Sequence, residues 1–211
     1  MKHDTEKLCG RLDQRRGYNM NTYSGLPVWP ADPRPEDIRI GDIARGLSRL
    51  CRFNGHIKNG EWRYTPYQWP EEQWVDYEIY SVAQHSVLVC EAVGDPELKL
   101  PALLHDASEY VLGDMIKPQK RMYNERKTYE QTWEVAIANR FGFDPALFND
   151  PEIKEADYRM FLTERRDVVS HSRTDFGVAE DKPYGFRIVP LLPSQAYKMF
   201  MDRFNELYKG D

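Results

Sequence analysis

Histidine and aspartate bind divalent transition metals through imidazole nitrogen and carboxylate oxygen. This chain places them in three short strings of helical character. His85 lies in YSVAQHSVLV, His105 and Asp106 in LPALLHDASEY, and Asp157 in IKEADYRMF. Residues three or four apart share a helix face, so Glu109 is expected to point the same way as His105. Asp106 is rotated from His105 by about 100°. Both can therefore grip one ion only near a helix crossing, which His85 and Asp157 on neighbouring helices would complete. Two His and two Asp leave coordination positions open, where water and a phosphate oxygen can enter. Each residue alone has a plainer reading. His85 could be a satisfied core histidine, His105-Asp106 a buried hydrogen-bonded pair, Asp157 an exposed carboxylate and Glu109 a surface partner of a Lys or Arg. The setting of His105 favours the metal. It follows Ala102-Leu103-Leu104 directly, and a buried polar pair without partners is costly.

The elements that must hold these residues are punctuated in the sequence. Ser81 with Gln84 three residues on reads as a capping box, and Gly94-Asp95-Pro96 closes that helix. The next helix is expected from about Pro101 to Leu112, with Leu103, Leu104, Ala107 and Val111 inward and Gly113 as its stop. A helix over roughly Glu125 to Phe141 buries Tyr129, Trp133, Ala136, Ile137 and Phe141 or Arg140, and Gly142 ends it. Asp150-Pro151 caps and opens another, with Ile153, Ala156, Met160 and Val168 inward. Upstream, Ile40, Ile43, Ala44, Leu47, Leu50 and Cys51 recur at helical steps, with Gly55 as terminator. Residues 171–193 read as a loop or short hairpin. Ser194 is expected to cap a last amphipathic helix over 194–209.

Two regions are not helical in pattern. Residues 1–37, rich in Gly and Pro, read as an extended N-terminal arm. The segment 57–80 carries Asn59-Gly60 among Trp62, Tyr64, Tyr67, Trp69, Trp74 and Tyr77, which reads as a small β-hairpin insert or an ordered loop. That insert reads as a lid or oligomer contact ahead of a base-stacking surface. The fold class is all-α, as one domain over residues 1–211.

Composition excludes several functions. A formal charge of −5 over 211 residues speaks against a nonspecific grip on nucleic acid, which needs a basic face. The three cysteines, Cys9, Cys51 and Cys90, have no C-x-x-C spacing and suggest reduced thiols. The charged N-terminus lacks the apolar stretch of a signal peptide, and no apolar run approaches the roughly 20 residues that span a bilayer. A soluble, cytoplasmic protein without membrane partners is expected.

The strings DIARGLSRLCRFNGH, YSVAQHSVLV, LLHDASEYVLGDMIKPQK and IKEADYRMFLTERRD together resemble the HD-domain phosphohydrolases, in their 5′-nucleotidase-type branch. Within it they look most like phage enzymes that hydrolyse dATP to deoxyadenosine and triphosphate. The resemblance covers about residues 38–170 and implies an HD-domain helical bundle. It makes His85, His105, Asp106 and Asp157 the ligands of one divalent ion (Mn, Co, Zn, Fe or Mg), with a second Mg carried by the substrate. Glu109 matches the carboxylate that handles protons around the attacking water, and Asp114 a residue near the deoxyribose 3′-hydroxyl. Arg52 and Lys120 match cationic phosphate contacts, Phe53 stands where an aromatic residue stacks on the base, and Pro118 matches the edge of the base pocket. The implied substrate is a deoxynucleotide, with phosphate release from deoxynucleoside monophosphates as the alternative activity. The enzyme is expected to be a homo-oligomer, in the host cytoplasm if phage-encoded. Two departures stand out: the long aromatic insert between His56 and Tyr80, and Asn54 following Phe53.

Overall fold

The computed structural model describes residues 12–57, 79–123, 125–169 and 183–210. The expected hairpin near 57–80 and most of the expected loop over 171–193 lie outside these residues. The described chain is mostly helical, in the order β1 (Leu12–Asp13), β2 (Gly17–Tyr18), β3 (Met20–Asn21), β4 (Pro27–Val28), α1 (Ile40–Leu47), α2 (Val82–Ala92), α3 (Lys99–Leu104), α4 (Glu109–Leu112), α5 (Lys117–Lys120), α6 (Arg126–Phe141), α7 (Pro151–Asp167) and α8 (Pro193–Leu207). No helix among the described residues is long and apolar enough to cross a membrane.

α2 is the central helix. Eight of its residues are buried, His85 among them, and α3, α7 and α8 pack around it. A helix apolar on nearly every side belongs inside a bundle. The core joins Leu47, Tyr80, Val87, Leu103, Trp133, Ile153, Met160 and Phe200 in one cluster. Side chains fix the helix ends. The Ser81 hydroxyl accepts from the Gln84 amide, and the Asp150 carboxylate accepts from Glu152 N–H beside Pro151. Gly142 takes the left-handed conformation, φ 77°, that stops α6.

Several expectations are corrected. The Gln84 side chain does not reach back to complete a capping box. Its amide donates to Val189 O and accepts from Leu191 N–H, clamping the C-terminal segment to α2. The helix expected over 101–112 is broken after Leu104 and resumes at Glu109, so His105 and Asp106 lie in the break. α1 stops at Leu47, and Cys51 is extended and bridges to Ser81. Tyr129 is exposed, because α6 has only one covered face and Trp133, Ala136 and Ile137 define it. Ser194 falls inside the first turn of α8. That helix begins at Pro193, with the Gln195 side chain accepting Leu192 N–H.

The arm carries structure of its own, in the two antiparallel hairpins β1–β2 and β3–β4. Arg16 holds the arm together. Its guanidinium pairs with Asp32 at 2.7 Å and Asp37 at 2.6 Å and lies over the Trp29 ring at 3.8 Å. Trp133 Nε1 donates to Pro30 O, and Arg140 Nε to Ile38 O.

Candidate metal centre

His105 and Asp106 follow α3 directly, in a turn where His105 keeps helical φ/ψ and the N–H groups of Ala107 and Glu109 donate to Leu104 O and Asp106 O. The Asp106 carboxylate lies 3.2 Å from His105 Nε2. From the buried face of α2, His85 Nε2 approaches His105 Nε2 at 3.3 Å and Asp106 Oδ2 at 3.6 Å. From α7, Asp157 Oδ1 sits 3.2 Å from His85 Nε2 and 3.9 Å from His105 Nε2. His85, His105 and Asp106 each offer one ligand atom within 4.8 Å of the others and could hold a metal ion.

The hydrogen bonds behind the rings settle which nitrogens are offered. His105 Nδ1 lies 2.8 Å from Ala102 O, an acceptor only, so Nδ1 carries the proton and Nε2 a lone pair. His85 Nδ1 donates to Glu164 Oε1 at 2.5 Å, so its Nε2 also faces the cluster. Lone pairs of two imidazoles and two carboxylates thus converge. Donors on a common ion, each about 2.0–2.2 Å from it, lie roughly 3.0–3.5 Å apart, close to the spacings seen. His85, His105 and Asp106 could hold a divalent cation, with Asp157 Oδ1 alongside them.

Electrostatics agrees. His85 is pushed up to about 9: burial and the Arg52 charge oppose protonation, and Glu164 and Asp157 outweigh them. Asp157 is held well below the usual carboxylate range, burial being overcome by its bond to His85. Asp106 is depressed likewise, as His105, His85 and Arg52 outweigh burial. A pocket that draws a proton to His85 so strongly draws a divalent cation for the same reason.

Glu164 is the residue that sequence reasoning missed. It is fully buried, and its carboxylate takes His85 Nδ1–H, the Tyr80 hydroxyl at 2.8 Å and Arg52 Nη2 at 3.1 Å. Arg52 also reaches Asp106 at 3.4 Å. A carboxylate behind a ligating histidine fixes its tautomer and raises its basicity. One signal was present: Glu164 lies seven residues after Asp157, two turns along the same helix face.

The other expected residues border this cluster. Glu109 is 5% exposed and opens α4, with Oε2 buried and without a hydrogen-bond partner. Burial first, then Asp106 and Asp114, raise its carboxyl well above the ordinary value, against Lys120 and Arg52. Lys120 Nζ lies 3.7 Å from Glu109 Oε1 and 3.2 Å from Glu130 Oε1. Asp114, half-buried just past Gly113, is raised by burial and Asp106. Phe53 adopts φ 56° and Asn54 φ 53°, an uncommon conformation for a bulky residue. This places the Phe53 ring 6.3 Å from Phe161. Asn54 Nδ2 donates to Gln119 Oε1, tying this turn to α5 beside the exposed Pro118. Arg52 therefore pairs with Asp106 directly, Glu109 and Lys120 adjoin the cluster, and the turn carrying Phe53 is bonded to α5, which carries Pro118.

No family model matches the chain. It is 35% identical over 190 residues to the Uncharacterized protein YfdR of Escherichia coli (strain K12), covering 89% of this chain and 94% of that protein. It is 36% identical over 170 residues to the Uncharacterized protein RCAP_rcc00048 of Rhodobacter capsulatus, covering 76% and 78% respectively. With a third of its residues shared along nearly the full length of both proteins, the chain belongs to the family of YfdR.

Proposed function

We propose that the chain is a metal-dependent phosphohydrolase of the HD-domain type acting on deoxynucleotides. Its favoured reaction is hydrolysis of dATP to deoxyadenosine and triphosphate, ahead of phosphate release from deoxynucleoside monophosphates. The observation that carries this reading is the convergence of His85, His105, Asp106 and Asp157, whose donor atoms approach at 3.2–3.9 Å beside a buried carboxylate with an unpartnered oxygen. A holding site needs only the first, whereas hydrolysis also needs a group that moves a proton.

A divalent cation held by the four side chains supplies Lewis acidity and makes a water more acidic. The chain's own residues do the rest. Glu109 Oε2 takes the proton of the attacking water, and its raised affinity for protons suits that task near neutrality. The water oxygen bonds to the phosphorus next to the sugar, the P–O5′ bond breaks, and O5′ leaves as the alcohol with a proton. Lys120 Nζ, close to Glu109, offsets charge on the phosphate. Arg52, held between Glu164 and Asp106, positions Asp106 and adds positive potential. Asp114 accepts from the sugar 3′-hydroxyl. A site built around one hydroxyl rejects its absence strongly, but crowding excludes an added 2′-hydroxyl only about 10²-fold. Discrimination against ATP is therefore expected to be incomplete.

The test is a release assay for phosphate and triphosphate over all dNTPs and dNMPs, with Mn, Co, Mg and Zn. Triphosphate from dATP is the expected product. Equal kcat/KM for dATP, dGTP and dCTP would refute the adenine preference, and dAMP cleaved far faster than dATP would install the monophosphatase reading.

A further inference from the structure

Behind α4, on the side of Tyr110 rather than Glu109, the β3–β4 hairpin and α1 enclose a second cavity of about 360 Å³. Met20, Tyr23, Arg45, Arg49 and Tyr110 are among its lining residues. The Arg45 guanidinium is stacked between two rings, 4.3 Å from the centroid of Tyr23 and 4.3 Å from that of Tyr197. Its Nε is buried without a hydrogen-bond partner, and its side chain makes one long hydrogen bond, 3.4 Å to the Tyr23 hydroxyl. Arg49, one turn on, is exposed and reaches only Arg45 O at 3.5 Å. The one acid lining the cavity, Asp42, is consumed by the hydroxyls of Thr22 and Ser24 and by Ser24 N–H, at 2.7–2.8 Å. Among the described residues neither arginine has a carboxylate within ion-pair distance.

We infer that this cavity is a binding site for a small phosphorylated ligand with a flat organic body, separate from the metal centre. A guanidinium with both faces covered by rings keeps its N–H edge for an anion, the geometry in which arginine recognises phosphate. A second arginine one turn away adds a second charge, so the two guanidinia outnumber the single carboxylate of Asp42, which is turned to Thr22 and Ser24. Tyr23, Met20 and Tyr110 supply apolar wall, and the volume lies in the range of small-molecule sites. Tyr110 follows Glu109 in the chain, and α1 approaches it so closely that a Cβ on Gly46 would lie 2.9 Å from Tyr110 Cβ. A ligand here therefore bears on the helix that presents Glu109. The site stands whether or not the metal centre hydrolyses nucleotides.

The experiment is calorimetric titration of the full chain with dADP and with inorganic pyrophosphate, comparing the wild-type protein with Arg49→Glu and Arg45→Lys. Both variants keep the metal centre, so any difference reports the second cavity. Arg49→Glu, at an exposed position, leaves the fold intact. The expected result is tighter binding of dADP than of pyrophosphate, weakened about 10- to 100-fold by Arg49→Glu, with hydrogen exchange slowed at 42–49 when dADP is added. Unchanged affinity in Arg49→Glu overturns the inference, as does protection confined to α2 and α7.

Discussion

His85 and Glu109 are both buried beside Asp106, yet the chain treats them in opposite ways. His85 is tethered through Nδ1 to Glu164, which is itself held by Tyr80 and Arg52, so its ring has no freedom to turn. Glu109 has one oxygen near Lys120 and the other without a partner, at the start of a four-residue helix. A buried acceptor left unsatisfied costs about 1–3 kcal/mol, and such groups persist where the chemistry uses them. The first side of the site is over-determined and suits holding. The second is under-satisfied and suits proton transfer.

Substitutions can break that contrast. The largest effect is expected from Asp106→Ala, which removes a ligand candidate and an Arg52 partner but leaves the core intact: hydrolysis is abolished and metal content falls. Elemental analysis finding full metal in an active Asp106→Ala protein would end the metal assignment. Glu109→Gln should cut turnover by roughly 10²–10⁴ while the metal stays bound. If the metal left with the carboxylate, Glu109 would belong to the holding side. Glu164→Gln keeps the shape but weakens the anchor, and metal affinity should drop about 10–100-fold. Titration with a competing chelator reads this directly, and an unchanged affinity would make Glu164 structural only.

The smallest expected effect sharpens the comparison through pH. Burial, Asp106 and Asp114 raise the Glu109 carboxyl above 4.5, so the folded chain binds this proton more tightly than the unfolded one. The resulting stability is present below pH 4.5 and is lost as pH rises through the folded-state value. Glutamine cannot ionise. In chelator, the Tm of Glu109→Gln should therefore gain on the wild type as pH rises above 4.5. A gap that stays flat across this range would mean that Glu109 ionises freely, and the contrast with His85 would fail.

The ligand candidates were legible because each sits in a helix-like string whose apolar neighbours fix its face, as Ala102-Leu103-Leu104 does for His105. Glu164 was not, because its importance lies in partners 79, 84 and 112 positions away, and a local pattern carries only its register with Asp157. The break at His105 was hidden for a related reason. Leu103, Leu104 and Ala107 keep helical spacing through it, and the interruption serves the packing of His105 and Asp106 against other helices. In the arm, Gly17 and Gly25 take positive φ, and the Gly- and Pro-rich composition signalled turns without locating strands. The strands they join are two residues long, too short to show alternation. Gln84 was read as part of a cap because three-residue spacing is a local signal, whereas its actual partners lie over a hundred positions on.

That distant clamp has a consequence for biosynthesis. Residues 189–191 close over Gln84, the neighbour of His85, and Asp157 and Glu164 reach the same helix from late in the chain. While the ribosome is still making α7, α2 can offer His85 but nothing behind it fixes the ring, and the clamp is missing. A tight cation site thus arises only once nearly the whole polypeptide has emerged, because closing such long loops must precede the contacts that reward it. If a metal is bound here, its capture would be a late event in maturation, and an unfinished chain would compete poorly for it.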